Sequence, residues 1–200
     1  MAQNITIQVD QTDIELLKGD LRHINNGMPT AVMRSINRAA DGVKTDMVAI
    51  ATRVYTVKAT AARKNINVTK ATSGNLNAGA LSKGKPIPLV DFNIKPSTVQ
   101  PNRKLPITAE VIKGQPKPIL HAFVAVMPTG HKGVFWRKKI GGGPQRVGRL
   151  PIEELSGPRI EDLYARAEFQ AEIQAGADNR LTNELDRQAD FIFQQRNGLL

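Results

Sequence analysis

The chain has no cysteine. Disulfides, thiolate metal ligands and a cysteine nucleophile are therefore all excluded. Aromatic residues make up only 4% of it, with one tryptophan, Trp136. With apolar residues at 40%, the core has to be built mainly from Ala, Val, Ile and Leu. No apolar run approaches the roughly 20 residues that cross a bilayer. Met1 to Asp10 lacks the apolar stretch of a signal peptide. These absences predict a soluble protein made in a cytoplasm, with no membrane partner. Acidic residues are scarce in the middle of the chain. Residues 31–150 hold 21 basic and 4 acidic side chains, against 2 and 4 in residues 1–30 and 5 and 10 in residues 151–200. The net charge of +10 is thus a basic middle between acidic ends.

Catalytic signatures are missing as well. There is no GxSxG, HExxH or GxxxxGK[ST] pattern. His23, His121 and His131 have no His, Asp or Glu at metal-ligand spacing on a shared helix. Glu153 and Glu154 are adjacent on a predicted strand, so they point to opposite faces and cannot act as an acid/base pair. No enzyme activity, cofactor or metal is expected.

What is present reads as helix, then strands, then helix. Ile5, Ile7 and Val9 alternate as a short strand. Asp10 or Thr12 can cap a helix to about Ile24. Pro29 opens a long helix to Val54, with Val32, Ile36, Ala39, Val43, Met47, Ile50 and Val54 at spacings of three and four. Arg34, Arg38, Asp41, Lys44 and Arg53 fall outside that stripe. A short helix follows from Val57 to about Asn65. Strands are expected at Ile66–Val68, Ile87–Val90, Phe92–Ile94, Ile107–Ile112 and Ala122–Met127, with turns at Gly114–Pro118 and loops over 73–86 and 95–106. After Ser156 and Gly157, which can cap, Pro158 opens the C-terminal helices, with a break near Gly176–Asp178 or a kink expected. No internal repeat is evident. The order predicts a single α+β domain over 1–200, with helices packed on a mostly antiparallel, loop-rich sheet. Its parts are helical 1–65, β-rich 66–155 and helical 156–200.

The stretch from Gly130 to Ile160 concentrates the unusual residues. Gly133–Ile140 reads as a strand, Gly141–Pro144 as a turn, and Val147–Leu155 as the return strand of a protruding hairpin. Lys132, Trp136, Arg137, Lys138, Lys139, Arg146 and Arg149 gather around that turn. Like charges on opposed strands repel unless anions or acidic groups lie near. Three readings stay open for them: a solvated edge that resists aggregation, a contact with another subunit or partner, and direct contact with phosphates. Trp136 alone is not a stacking platform for bases; a single strand tryptophan belongs more often to a core or an interface.

GHKGVFWRKK followed by RLPIEELSGPRI resembles the signature of the phage minor tail protein Z family, the tail-completion proteins. AVMRSINRAADGVKTDMVAIATRVYTVK, Ala31 to Lys58, resembles that family's long N-terminal helix and the basic segment after it. The likeness covers Ala31 to Ile160. It implies a structural virion protein of the tail neck, assembled in the host cytoplasm. It further implies a hexameric ring on the tail, meeting the tail terminator protein and the head connector protein around the DNA passage. A basic middle and acidic helical ends would suit the two unlike patches of a ring interface. The competing reading is a nucleic-acid-binding protein that contacts phosphates, genomic DNA included, without sequence preference. No helix-turn-helix, zinc-finger or RNA-recognition signature accompanies it.

Overall fold

The computed structural model describes residues 3–7, 27–82, 84–101, 105–137 and 152–196. The expected helix over residues 12–24, the hairpin tip and the start of its return strand lie outside them. The described residues form an α+β protein whose strands make three separate three-stranded antiparallel sheets rather than one. They divide into two compact units that interleave along the chain. One comprises residues 1–49, 63–83 and 161–200, the other residues 50–62 and 84–160.

The first unit rests on two long helices. Helix α1 (Gly27–Val54) contributes its residues up to Ala49. It buries Val32, Ile36, Ala39, Val43 and Met47, as the sequence periodicity requires, and leaves Arg34, Arg38 and Asp41 exposed. Of the other helices, α2 (Ala59–Lys64) is short, as is α3 (Glu161–Tyr164). Helix α4 (Ala167–Arg196) buries Phe169, Ile173, Ala177, Leu181 and Leu185 at every fourth position. The break expected at Gly176 does not occur. A Cβ there would lie 3.0 Å from Asp46 Oδ2, and one on Gly42 would lie 2.5 Å from Arg180 Cδ. The two glycines let the helices meet around an ion pair. Arg180 binds both carboxylate oxygens of Asp46, with Nη2 to Oδ1 at 2.8 Å. That hydrogen bond holds the Arg180 guanidinium above its ordinary pKa. Glycine costs a helix interior about 1 kcal/mol, which this close packing offsets.

Two further contacts tie the unit together. The Tyr164 hydroxyl donates to the Met47 carbonyl at 2.7 Å, and burial pushes its pKa up. The Asn37 amide donates to the Ala71 carbonyl at 3.1 Å and accepts from the Ala71 N–H at 2.7 Å, pinning the chain after β2 to α1. The sheet has the order β1-β3-β2, from β1 (Gln3–Ile7), β2 (Ile66–Thr69) and β3 (Ala78–Ser82). Its central strand lies in what reads from sequence as a loop. Ala78, Ala80 and Ser82 are buried there, and pairing on both sides overrides their poor strand propensity.

The second unit holds the other two sheets. One is ordered β4-β5-β6, from β4 (Asn93–Lys95), β5 (Ile107–Glu110) and β6 (Pro116–Ile119). Strand β6 falls within the expected turn. It lies at an edge, where Pro116 and Pro118 can do without N–H donors. Glu110 fixes the β5–β6 turn, accepting from Gly114 N–H at 2.7 Å and from Asn93 Nδ2 at 2.7 Å. These bonds, the first above all, hold its carboxyl below the usual range. Thr56 Oγ1 donates to the Glu110 carbonyl and accepts from Asn93 N–H at 3.1 Å.

The expected strand Ile87–Val90 is instead a bridge and a 3-10 turn, Leu89–Asp91. Pro88 has no N–H for a ladder, and the flanking groups pair locally, Leu89 N–H to Leu155 O at 2.9 Å and Gly157 N–H to Ile87 O at 2.7 Å. Ser156 therefore caps no helix: it bridges Pro88, and the helix begins at Glu161. Gly157 lies under the buried Phe92 ring, which a Cβ would meet at 2.5 Å.

Candidate functional site

The third sheet, ordered β7-β8-β9, carries the described part of the basic cluster. Strand β7 (Phe123–Val126) turns into β8 (Lys132–Arg137) through Met127–His131. The turn closes by Met127 N–H to His131 O at 2.7 Å and Gly130 N–H to Met127 O at 2.8 Å. Gly130 has φ +81°, a left-handed conformation that glycine adopts without strain. Strand β9 (Ile152–Glu154) lies on the other side of β8, with Trp136 opposite Glu153 and Phe135 opposite Glu154.

Strand alternation then sorts the side chains. Lys132, Val134 and Trp136 share one face with Val124 and Glu153. Gly133, Phe135 and Arg137 share the other with Phe123 and Glu154. Val134 and Phe135 are buried, one on each face, while Lys132, Trp136 and Arg137 are exposed. Trp136 keeps 43% of its surface exposed, so it is not a core residue. Its indole N–H points at Glu153 Oε2 over 3.4 Å. Across the sheet, the Arg137 guanidinium lies 5.5 Å above the Phe123 ring. Phe123 and Phe135 pack with centroids 6.3 Å apart.

Lys132 and Trp136 are thus exposed on one face, on either side of the fully buried Val134, and Arg137 is placed on the opposite face. Lys138, Lys139, Arg146 and Arg149 lie outside the described residues.

The pairing of His131 with Glu154 was not read from the sequence. His131 Nε2 lies 2.9 Å from Glu154 Oε1, and its ring meets Phe135 edge-on at 6.4 Å. Gly133 leaves room for both neighbours: a Cβ there would sit 2.6 Å from Glu154 Oε1 and 2.8 Å from the Phe135 ring. The observed register sets Glu154 opposite Phe135, whereas the hairpin bounds expected from the sequence, with Ile140 against Val147, would set Ile152 there. Glu153 and Glu154 each serve their own face and partner, an arrangement suited to holding the sheet and unsuited to shared proton transfer. Among the described residues, no group of three or more His, Asp or Glu side chains could hold a metal ion. No described helix is long and apolar enough to cross a membrane.

What this sheet presents is an exposed tryptophan and an exposed lysine, separated along β8 by the buried Val134. A search of curated proteins and one of solved structures each return no match. The family model described as prophage minor tail protein Z matches residues 17–196. That span includes both long helices and all three sheets apart from β1, and it extends well beyond the stretch that carries the sequence resemblance. The chain belongs to the prophage minor tail protein Z family, and is thereby a structural component of a phage tail.

Proposed function

We propose that the protein completes the head-proximal end of the tail and helps join tail to head around the DNA passage. Copies form a hexameric ring there, between the tail terminator protein and the head connector protein. The observation that carries this reading is the family match running through residues 17–196. The build of the second unit supports it. Val99, Leu105, Leu120 and Val126 are large apolar side chains left more than half exposed on its loops and strand ends, as in a subunit completed by its neighbours. The exposed side chains of Lys132 and Trp136 are the part of the basic cluster given to a partner contact. Arg137, on the other face, serves a separate one, with Lys138, Lys139, Arg146 and Arg149 continuing from it in sequence.

The test is complementation. Induction of a prophage from which the gene is deleted should release filled heads and unjoined tails. Purified protein added to that lysate should restore joined, infectious particles. A normal yield of joined particles without the protein would contradict the proposal.

A further inference from the structure

The face of β5 and β6 that bears Ala109 and Lys117 forms one wall of an open, mainly apolar cavity of about 450 Å³. Tyr55, Val111, Ile112 and Ile119 supply further apolar lining, and Ile112 remains 42% exposed. Its volume falls within the range of ligand clefts, a few hundred to a thousand Å³. It exceeds what one aromatic side chain fills. Among the described residues, polar groups that could orient a small molecule are few, and Lys117 is the only charged one in the lining.

The first unit presents a complementary feature. Phe191, in the last described turns of α4, is 42% exposed although it belongs to a helix whose other large apolar residues with described side chains are buried. The adjacent Asp190 is exposed as well. Neither it nor Lys117 takes part in the ion pairs found among the described residues.

We infer that the cavity of one copy receives the C-terminal end of α4 from another copy, with Phe191 as the apolar anchor and Asp190 facing Lys117. Charge complementarity between Lys117 at the cavity and the aspartate next to Phe191 selects this occupant. Two different patches of one chain meeting in this way make a heterologous interface, which closes into a ring or extends as a filament. Apolar anchoring supplies the binding, and the charges set register and partner choice. The inference rests on the proposed ring at the tail end, because that is where copies would be held side by side.

The absence of native cysteine allows a clean test. Two separately tagged chains, one Gln194→Cys, a turn beyond Phe191 on α4, and one Gln115→Cys at the cavity, are incorporated together onto tails that lack the protein and treated with a short bis-maleimide. A cross-link carrying both tags is expected in most particles. In parallel, Lys117→Glu and Asp190→Lys should each lower incorporation several-fold, and the chain carrying both should recover it. Both chains present on tails with no doubly tagged product would overturn the interface while leaving the tail-end reading intact. So would capture of Gln194→Cys by a different virion protein in place of the Gln115→Cys chain. If the cysteine variants fail to incorporate, the charge swap decides: recovery in the double variant supports the interface, and additive loss overturns it. Wild-type protein that never joins the tails would count against the tail-end reading itself.

Discussion

The two units are held together by different means. In the helical unit the stabilising groups are side chains spread along two long stripes, Ile36, Val43 and Met47 on α1 and Ile173, Leu181 and Leu185 on α4. In the sheet unit they are backbone groups and close approaches at particular points: Glu110 on the Gly114 N–H, Gly157 beneath Phe92, Gly130 in its turn. A stripe distributes the stabilisation, so its interior tolerates no charge. A sheet fixed by turns depends on a few positions where no side chain fits, and its exposed faces are left for contact.

The largest expected effect is in the helical unit. Val43→Asp or Ile36→Asp buries an unpaired charge at a fully buried position and should cost more than about 4 kcal/mol, enough to abolish soluble folding. A soluble variant with native circular dichroism would contradict the role given to α1. In the sheet unit the corresponding break is Gly157→Ala, because its Cβ would enter the Phe92 ring. A cost of about 1–3 kcal/mol in thermal unfolding is expected from the overpacking. Stability within error of wild type would mean that the contact relaxes without strain.

Tyr164→Phe leaves the Met47 carbonyl without its hydroxyl donor. It should cost about 1–2 kcal/mol by denaturant titration.

Glu110 sharpens the contrast through pH. Its carboxyl is held below the ordinary range by the Gly114 N–H, then Asn93. Its stabilisation is therefore fully present above the unfolded carboxylate pKa and is lost as pH falls through the lower, folded value. The melting-temperature gap between wild type and Glu110→Gln should be constant near neutral pH and narrow in acid. A gap that widens on acidification would reverse the assigned sign.

The smallest effect on folding should come from Trp136→Ala, within about 0.5 kcal/mol, as for other exposed positions. Particle joining should nevertheless fall. An unchanged particle titre would leave Trp136 a surface residue without a partner.

The legibility of the sequence follows the same division. Helix α1 was readable because a buried stripe repeats at three and four residues over its whole length. Helix α4 was readable except at Gly176, where the absence of a side chain reads as a break and serves as a contact with Asp46. The sheets were harder. Strand β3, with the sequence AGALS, is made strand by two neighbours far away in the chain, and β6 has two prolines that only an edge permits. At the candidate site the cluster around the hairpin was visible from charge, but a one-dimensional list of cations does not say which face each occupies. Once β8 is paired, Lys132 and Trp136 separate from Arg137 by alternation alone. The partners His131 and Glu154, 23 residues apart in sequence, required the register of β9.

The proposed place of the protein in the virion is tested most directly by an averaged image of intact particles, compared with tails purified from the gene deletion. A six-fold ring of density between the tail tube and the head connector, present in the former and missing from the latter, is the expected result. Density lost from the distal tip or from the tail shaft, with an unchanged neck, would contradict it.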